Sequence, residues 1–371
     1  MNNISKLHLE FLRRHVFTLV SACVLIWPAV SFGQHYIQTN LVAGGDRTGV
    51  PANVPNDPHL IDPWGIARGT TSPWWVADRA TGVSTLYNGA GTILSLVVTI
   101  PNGSPTGIVF NGSSDFAVGP NQPAVFLFVS LTGTISGWNP GLNPNTMAVQ
   151  KVPASSRSVF TGATIAQIGG DRYLYVADIR QGRIAVYDTN FNPVELGRRA
   201  FDDDFLPRGF VPFNVQNIGN NLYVAFAQQN QAKNFVAFGA GLGIVDVFSP
   251  EGRLLMRLQY GPWFNAPWGL ALAPTDFGSF SHTLIVGQFG SGEILAFDAV
   301  TGRFEGKLLD QNNNVIVLPG LWAIAFGAGQ PAQTSGPANA LFFNAGINQG
   351  TGGLFGNLTP VSTDLTQGND Q

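Results

Sequence analysis

One slot in this chain recurs six times near the start of a short apolar run. It holds Trp64, Thr106, Ala163, Phe213, Trp268 and Trp322. Four flat aromatic faces brought to one place would suit a sugar or a planar apolar molecule, and each indole N–H adds a donor. Asn214 follows Phe213 with an amide that both donates and accepts. Packing of the same rings between neighbouring sheets is the competing reading, and it is the commoner fate of large aromatics. On the ligand reading, Trp64, Thr106, Phe213, Asn214, Trp268 and Trp322 form the binding site.

Carboxylates offer a second kind of chemistry. Asp78 and Asp178 each close an aromatic-Val-Ala-Asp phrase. Paired carboxylates can hold a metal or act as acid and base, but at a strand end they more often accept backbone N–H groups. Leu131, Phe226, Gln288 and Ala345 are read into the equivalent positions, so no ring of charge forms. Asp202-Asp203-Asp204 lacks the alternating spacing of a calcium loop, and a solvated connection is expected. Beyond residue 33 the histidines are His35, His59 and His282, in unrelated contexts. There is no Gly-x-Ser-x-Gly elbow, His-Glu-x-x-His pair or phosphate loop. No catalytic residue is assigned, and no metal site is expected.

The elements that must position these residues repeat as one three-part phrase. A Pro- or Gly-led apolar run comes first, as in Pro63-Trp64-Gly65-Ile66-Ala67 and Pro267-Trp268-Gly269-Leu270-Ala271. A second run follows, such as Trp75-Val76-Ala77-Asp78, and then Gly-x-[Ile/Val] leads to an aromatic and a turn residue, as in Gly182-Arg183-Ile184 to Tyr187-Asp188. Short runs of Val, Ile, Phe and Tyr bounded by Gly, Pro and Asn are strand chemistry. With a further strand such as Thr92–Ile100 or Arg303–Leu309, each unit has four strands. The mean period is about 54 residues, above the roughly 40–50 of common propeller repeats, so some connections are long: 189–211, 227–242 and Pro51–Pro63. Sheets of this size cannot bury their faces singly, and six packed radially make an all-β, six-bladed β-propeller. The sixth unit runs out of strands after Phe355, while a spare strand, His35–Ala43, precedes the first. That N-terminal strand is expected to complete the last blade and remove its free edge.

Residues 1–33 read as a signal peptide: Lys6, Arg13 and Arg14, then an apolar run from Val16 to Val30, then small residues before Gln34. Retention as an anchor and lipidation of Cys23 are the alternatives. The expected organisation is a leader over 1–33, the propeller over 34–359 and a polar tail over 360–371. The only cysteine, Cys23, lies in the leader, so the processed chain has no thiol chemistry. Losing three basic residues and Glu10 takes the net charge from −3 to −5, which argues against nucleic acid. Only 11% of residues are charged, against 44% hydrophobic, where about 25% charge is average for a soluble domain. With no second span-length apolar run, the expectation is an exported protein, periplasmic or extracellular, with no membrane span after leader removal.

These phrases resemble the NHL-type six-bladed propellers, and more closely a family of uncharacterised exported bacterial propeller proteins. The resemblance rests on Asp62-Pro63-Trp64-Gly65-Ile66-Ala67, Pro105-Thr106-Gly107-Ile108-Val109-Phe110-Asn111, Gly133-Thr134-Ile135-Ser136-Gly137-Trp138-Asn139, Pro212-Phe213-Asn214-Val215-Gln216-Asn217 and Asn265-Ala266-Pro267-Trp268-Gly269-Leu270. It covers roughly residues 35–358 and implies fold and export, with no assigned reaction. Some members end in a sorting signal, which the sequence Thr363–Gln371 lacks. The expected role is a non-catalytic module binding a small molecule, a glycan or a protein. The alternatives are a metal-dependent hydrolase of lactonase type, with Ca²⁺ near Asp62 and Asn214 in the central channel, and a lyase or glycan-active enzyme using the aromatic ring.

Overall fold

The computed structural model describes residues 34–365. The leader read over 1–33 and the last six residues lie outside the described residues. Six antiparallel sheets follow one another along the chain, each with four main strands, the fourth sheet joined by a short extra strand at Val236–Ala237. The first blade runs outward from Pro63–Ala67 through Trp74–Asp78 and Val83–Tyr87 to Val98–Thr99. The inner strands of the others are Pro105–Phe110, Phe160–Ile168, Phe210–Ile218, Pro267–Leu272 and Leu321–Phe326. The outer strands are shorter than the sequence suggests: Val98–Thr99 and Phe304–Lys307 replace the longer runs expected there.

Six apolar clusters each lie between two neighbouring blades, and a seventh fills the hub. One of the six joins the last blade to the first, through Phe342 and Phe355 against Trp74 and Tyr87. The ring is therefore closed by core packing. Each second-to-third-strand hairpin turns through a left-handed residue, as at Gly82 (φ 72°) and Gly182 (φ 66°), where a Cβ would be strained.

The N-terminal strand closes the sixth blade, as its spare alternating pattern predicts. Tyr36–Gly45 pairs antiparallel with Gly352–Pro360, from Tyr36 opposite Pro360 to Gly45 opposite Gly352. Tyr36, Val42 and Ala43 are buried, and the Tyr36 hydroxyl donates to the Phe277 carbonyl at 2.9 Å. A polar clasp lies beside it. His35 Nδ1 is 3.0 Å from Asp364 Oδ2, and Nε2 is 2.9 Å from Asn313 Oδ1. These acceptors, Asn313 foremost, raise the imidazole pKa above its ordinary value.

All six inner strands share one irregularity. Each slips register one or two residues from its start, as between Pro63 and Ile66, or Pro267 and Gly269. A bulge adds a residue and re-aims a side chain. Here it re-aims the residue just past the start of the slip, such as Trp64 in the first blade and Phe213 in the fourth.

Candidate functional site

Strand pairing fixes which residues are equivalent. Pro63 faces Asp78, Pro105 faces Ser130, Phe160 faces Asp178, Pro212 faces Phe226, Pro267 faces Gln288 and Leu321 faces Ala345. Two sequence assignments shift as a result. The third blade puts Thr161, not Ala163, in the aromatic slot, and Ser130, not Leu131, matches Asp78. The slot therefore holds Trp64, Thr106, Thr161, Phe213, Trp268 and Trp322. The next position holds Gly65, Gly107, Gly162, Asn214, Gly269 and Ala323, nearly all small. Crowding is the reason: a Cβ on Gly65 would come within 2.5 Å of the Thr106 carbonyl of the neighbouring blade.

The slot residues do meet. Trp64 stacks on Trp322 with centroids 3.5 Å apart, and Phe289 stacks on the same indole at 4.1 Å. Phe213 and Trp268 meet it edge-on at 5.8 and 5.9 Å, and Phe235 at 6.2 Å. Trp64, Phe213, Trp268 and Trp322 are all buried. They form a solid floor across one end of the hub. Thr106 and Thr161 sit in the wall, and the Thr106 hydroxyl lies 2.8 Å from the Phe160 carbonyl. The small threonines of blades two and three leave room for the large rings of the other four.

Below this floor lies Asp62, held at φ 48°. Its carboxylate pairs with Arg79 and accepts the indole N–H groups of Trp64 (3.2 Å) and Trp322 (3.4 Å). Above the floor opens a funnel of about 800 Å³, lined by all six inner strands. Of the six residues expected to bind ligand, Asn214 and Trp268 line it; Trp64, Thr106, Phe213 and Trp322 do not. Asn214 donates to the Trp268 carbonyl at 2.7 Å, stitching the fourth blade to the fifth. Residues further along the strands line the upper wall: Arg68, Phe110, Gln167, Gln216, Leu272 and Phe326. The sequence motif ends just short of most of these. The register that the bulge fixes would have pointed to them.

The carboxylates go separate ways. Asp178 caps its turn, its Oδ1 accepting the backbone N–H groups of Val159, Arg180 and Gln181. Asp78 occupies the equivalent position, fully buried, with Thr85 N–H and hydroxyl on one oxygen. Burial pushes its carboxyl well above the usual range. Among the described residues no three acidic, histidine or cysteine side chains lie close enough to hold a metal ion. Of the two residues the hydrolase reading names, the Asp62 carboxylate is held by Arg79 and two indole N–H groups, while Asn214 lines the funnel.

Arginines hold the 202–204 loop. Asp204 takes Arg199 at 2.7 Å through both oxygens, and Asp203 pairs with Arg257, which also reaches Asp246 at 2.8 Å. One guanidinium thus serves two buried carboxylates. Burial pushes Asp246 up to about 6 against the pull of Arg257. The folded chain keeps a proton that the unfolded chain releases near pH 4, so this contribution is full below that pH and is lost as pH rises through about 6. Its expected size is about 3 kcal/mol. Asp246→Asn should flatten that decline. Urea titrations near pH 4 and near pH 7 check it, and an identical decline in both proteins would refute it.

No family model matches the chain. An uncharacterized protein of Acanthamoeba polyphaga mimivirus is 32% identical over 316 residues, spanning 81% of this chain and 76% of the relative. This chain belongs to that protein's family. A second member from the same virus is 30% identical over 316 residues, 81% of each chain. Among solved structures, a protein of unknown function from Bacteroides thetaiotaomicron superposes with a TM-score of 0.54 at 10% identity, over 88% of this chain and 76% of the other. A virginiamycin B lyase from Staphylococcus aureus gives 0.51 at 12%, over 89% and 100%. At such identities the likeness shows the fold alone: this family folds as a six-bladed β-propeller.

Proposed function

We propose that this protein is a non-catalytic binding propeller whose central funnel is the ligand site. One observation carries the reading. The hub is shut at one end by packed aromatics and open above, and among the described residues no carboxylate or histidine lines the space. Its volume lies within the roughly 300–1,000 Å³ usual for small-molecule sites. Acid–base work needs a titratable group within reach of the reacting atom, and the lining supplies only arginines. We further propose that the NHL-like resemblance holds and that a cleaved leader exports the protein, as the basic and apolar runs of residues 1–33 suggest.

The neighbouring lyases favour a second reading, an enzyme acting in the same funnel. One of them is a catalytically inactive histidine-to-alanine variant. Here His35 and His59 are engaged by Asp364 and Asp57, and neither they nor His282 line the funnel. A lyase on this scaffold would need another base.

Gln216→Trp tests the binding reading. Gln216 lines the funnel, and a bulky indole there should fill it. Thermal shift against glycans, short peptides and amphipathic small molecules should give hits with the parent protein that vanish in the variant. Hits unchanged by the substitution would place binding elsewhere.

A further inference from the structure

The funnel carries one positive charge without a protein counter-ion. Its charged lining residues are Arg68 and Arg172, and among the described residues no Asp or Glu lines it. Arg172 is neutralised, its Nη1 lying 2.8 Å from Asp115 Oδ1. Arg68 makes no ion pair among the described residues. Its Nε donates to the Phe326 carbonyl and Nη2 to the Gly327 carbonyl, both at 2.9 Å, and its guanidinium lies over the Trp74 ring at 5.5 Å. These contacts fix its orientation and leave Nη1 without a partner among the described residues. Burial already holds its pKa below the usual arginine range. A partly desolvated cation with no counter-charge carries part of the cost of leaving water, which a ligand bringing the anion would relieve.

The rest of the wall limits what that ligand can be. Leu272 is exposed and Ile66, Phe110 and Phe326 are half-buried along the wall, giving it an apolar side, whereas the Ile108, Leu270 and Ile324 side chains are buried between blades. A polyanion would find one unpaired cation and no second, since Arg172 is held by Asp115. A neutral sugar would leave the guanidinium unpaired.

Resting on the funnel as the binding site, we propose that the ligand is an amphipathic monoanion: a carboxylate on Arg68 with an aliphatic body lying against Ile66, Phe110, Leu272 and Phe326. Binding by a charge-assisted hydrogen bond at one end and apolar burial along the other predicts a head-group preference.

Calorimetry with three ten-carbon probes reads this out: decanoate, decanol and decyltrimethylammonium. Decanoate should bind at least about tenfold more tightly than decanol, as a hydrogen bond to a charged group implies, and the cation should not bind. Arg68→Gln should weaken decanoate about tenfold and leave decanol unchanged. Gln216→Trp should abolish both. Equal binding of decanoate and decanol overturns the anion inference while the funnel reading stands, and so does failure of every probe to bind. Probes that bind the Gln216→Trp protein like the parent overturn the funnel reading itself. If Arg68→Gln does not fold, the head-group comparison on the parent protein still decides.

Discussion

Deleting residues 34–45 is expected to lower the melting temperature by roughly 10 °C, or to leave the protein insoluble. The segment supplies the outermost strand of the sixth blade and most of its register with Gly352–Pro360. It buries Tyr36, Val42 and Ala43 and supplies the hydroxyl bonded to Phe277. Fully burying a large side chain contributes about 1.5–3 kcal/mol and a hydrogen bond about 1 kcal/mol. The strand is therefore worth at least about 5 kcal/mol, against a whole-domain stability of about 5–15 kcal/mol. The deletion also bares the edge of Gly352–Pro360, a template for aggregation. Circular dichroism melts measure the effect. A synthetic peptide of residues 34–45 added to the truncated protein should restore part of it, and an unchanged melt would refute the closure argument.

Trp322→Ala should cost about 3–5 kcal/mol, as large-to-small changes at buried aromatics do. Its indole, in the sixth blade, touches Trp64, Trp268, Phe213, Phe235 and Phe289, which come from three other blades. Removal takes one N–H from the buried Asp62 carboxylate and opens the floor of the funnel. Blades that share no strand pairing would lose their common contact. Urea unfolding should show a lower midpoint with an unchanged slope, the mark of lost stability without a change in the unfolded state. A loss under about 1 kcal/mol would mean that the floor can collapse around the gap.

Much of this architecture could be read from residues. The recurring Pro-x-Gly and aromatic-Val-Ala-Asp phrases located the blades, and the alternation Tyr36, Ile37, Thr39, Leu41 marked a strand with no partner nearby in sequence. The third blade misled because Phe160 stands where four of the other five blades have Pro, and Thr161 where four of them have Trp or Phe. Gly162-Ala163-Thr164 looks like the start of the phrase, but lies two residues late. Side-chain fate was harder to see than strand position. Asp78 and Asp178 occupy one slot, yet one caps a turn and the other lies buried with an unpartnered oxygen. Neighbouring blades decide that difference, and they are distant in sequence. Arg68 went unnoticed for the same reason: whether an arginine lacks a counter-ion depends on groups such as Phe326, over 250 residues away.

The shared sixth sheet has a topological corollary. The Val361 N–H donates to the His35 carbonyl at 2.9 Å, so the two ends of the described chain meet at one point on the rim. A few glycines could splice them into a continuous loop, and the exposed Asn-rich turn at 311–314 offers a place to cut it open again. Such a permuted chain would keep all six sheets and would convert the non-covalent latch of the disc into a peptide linkage.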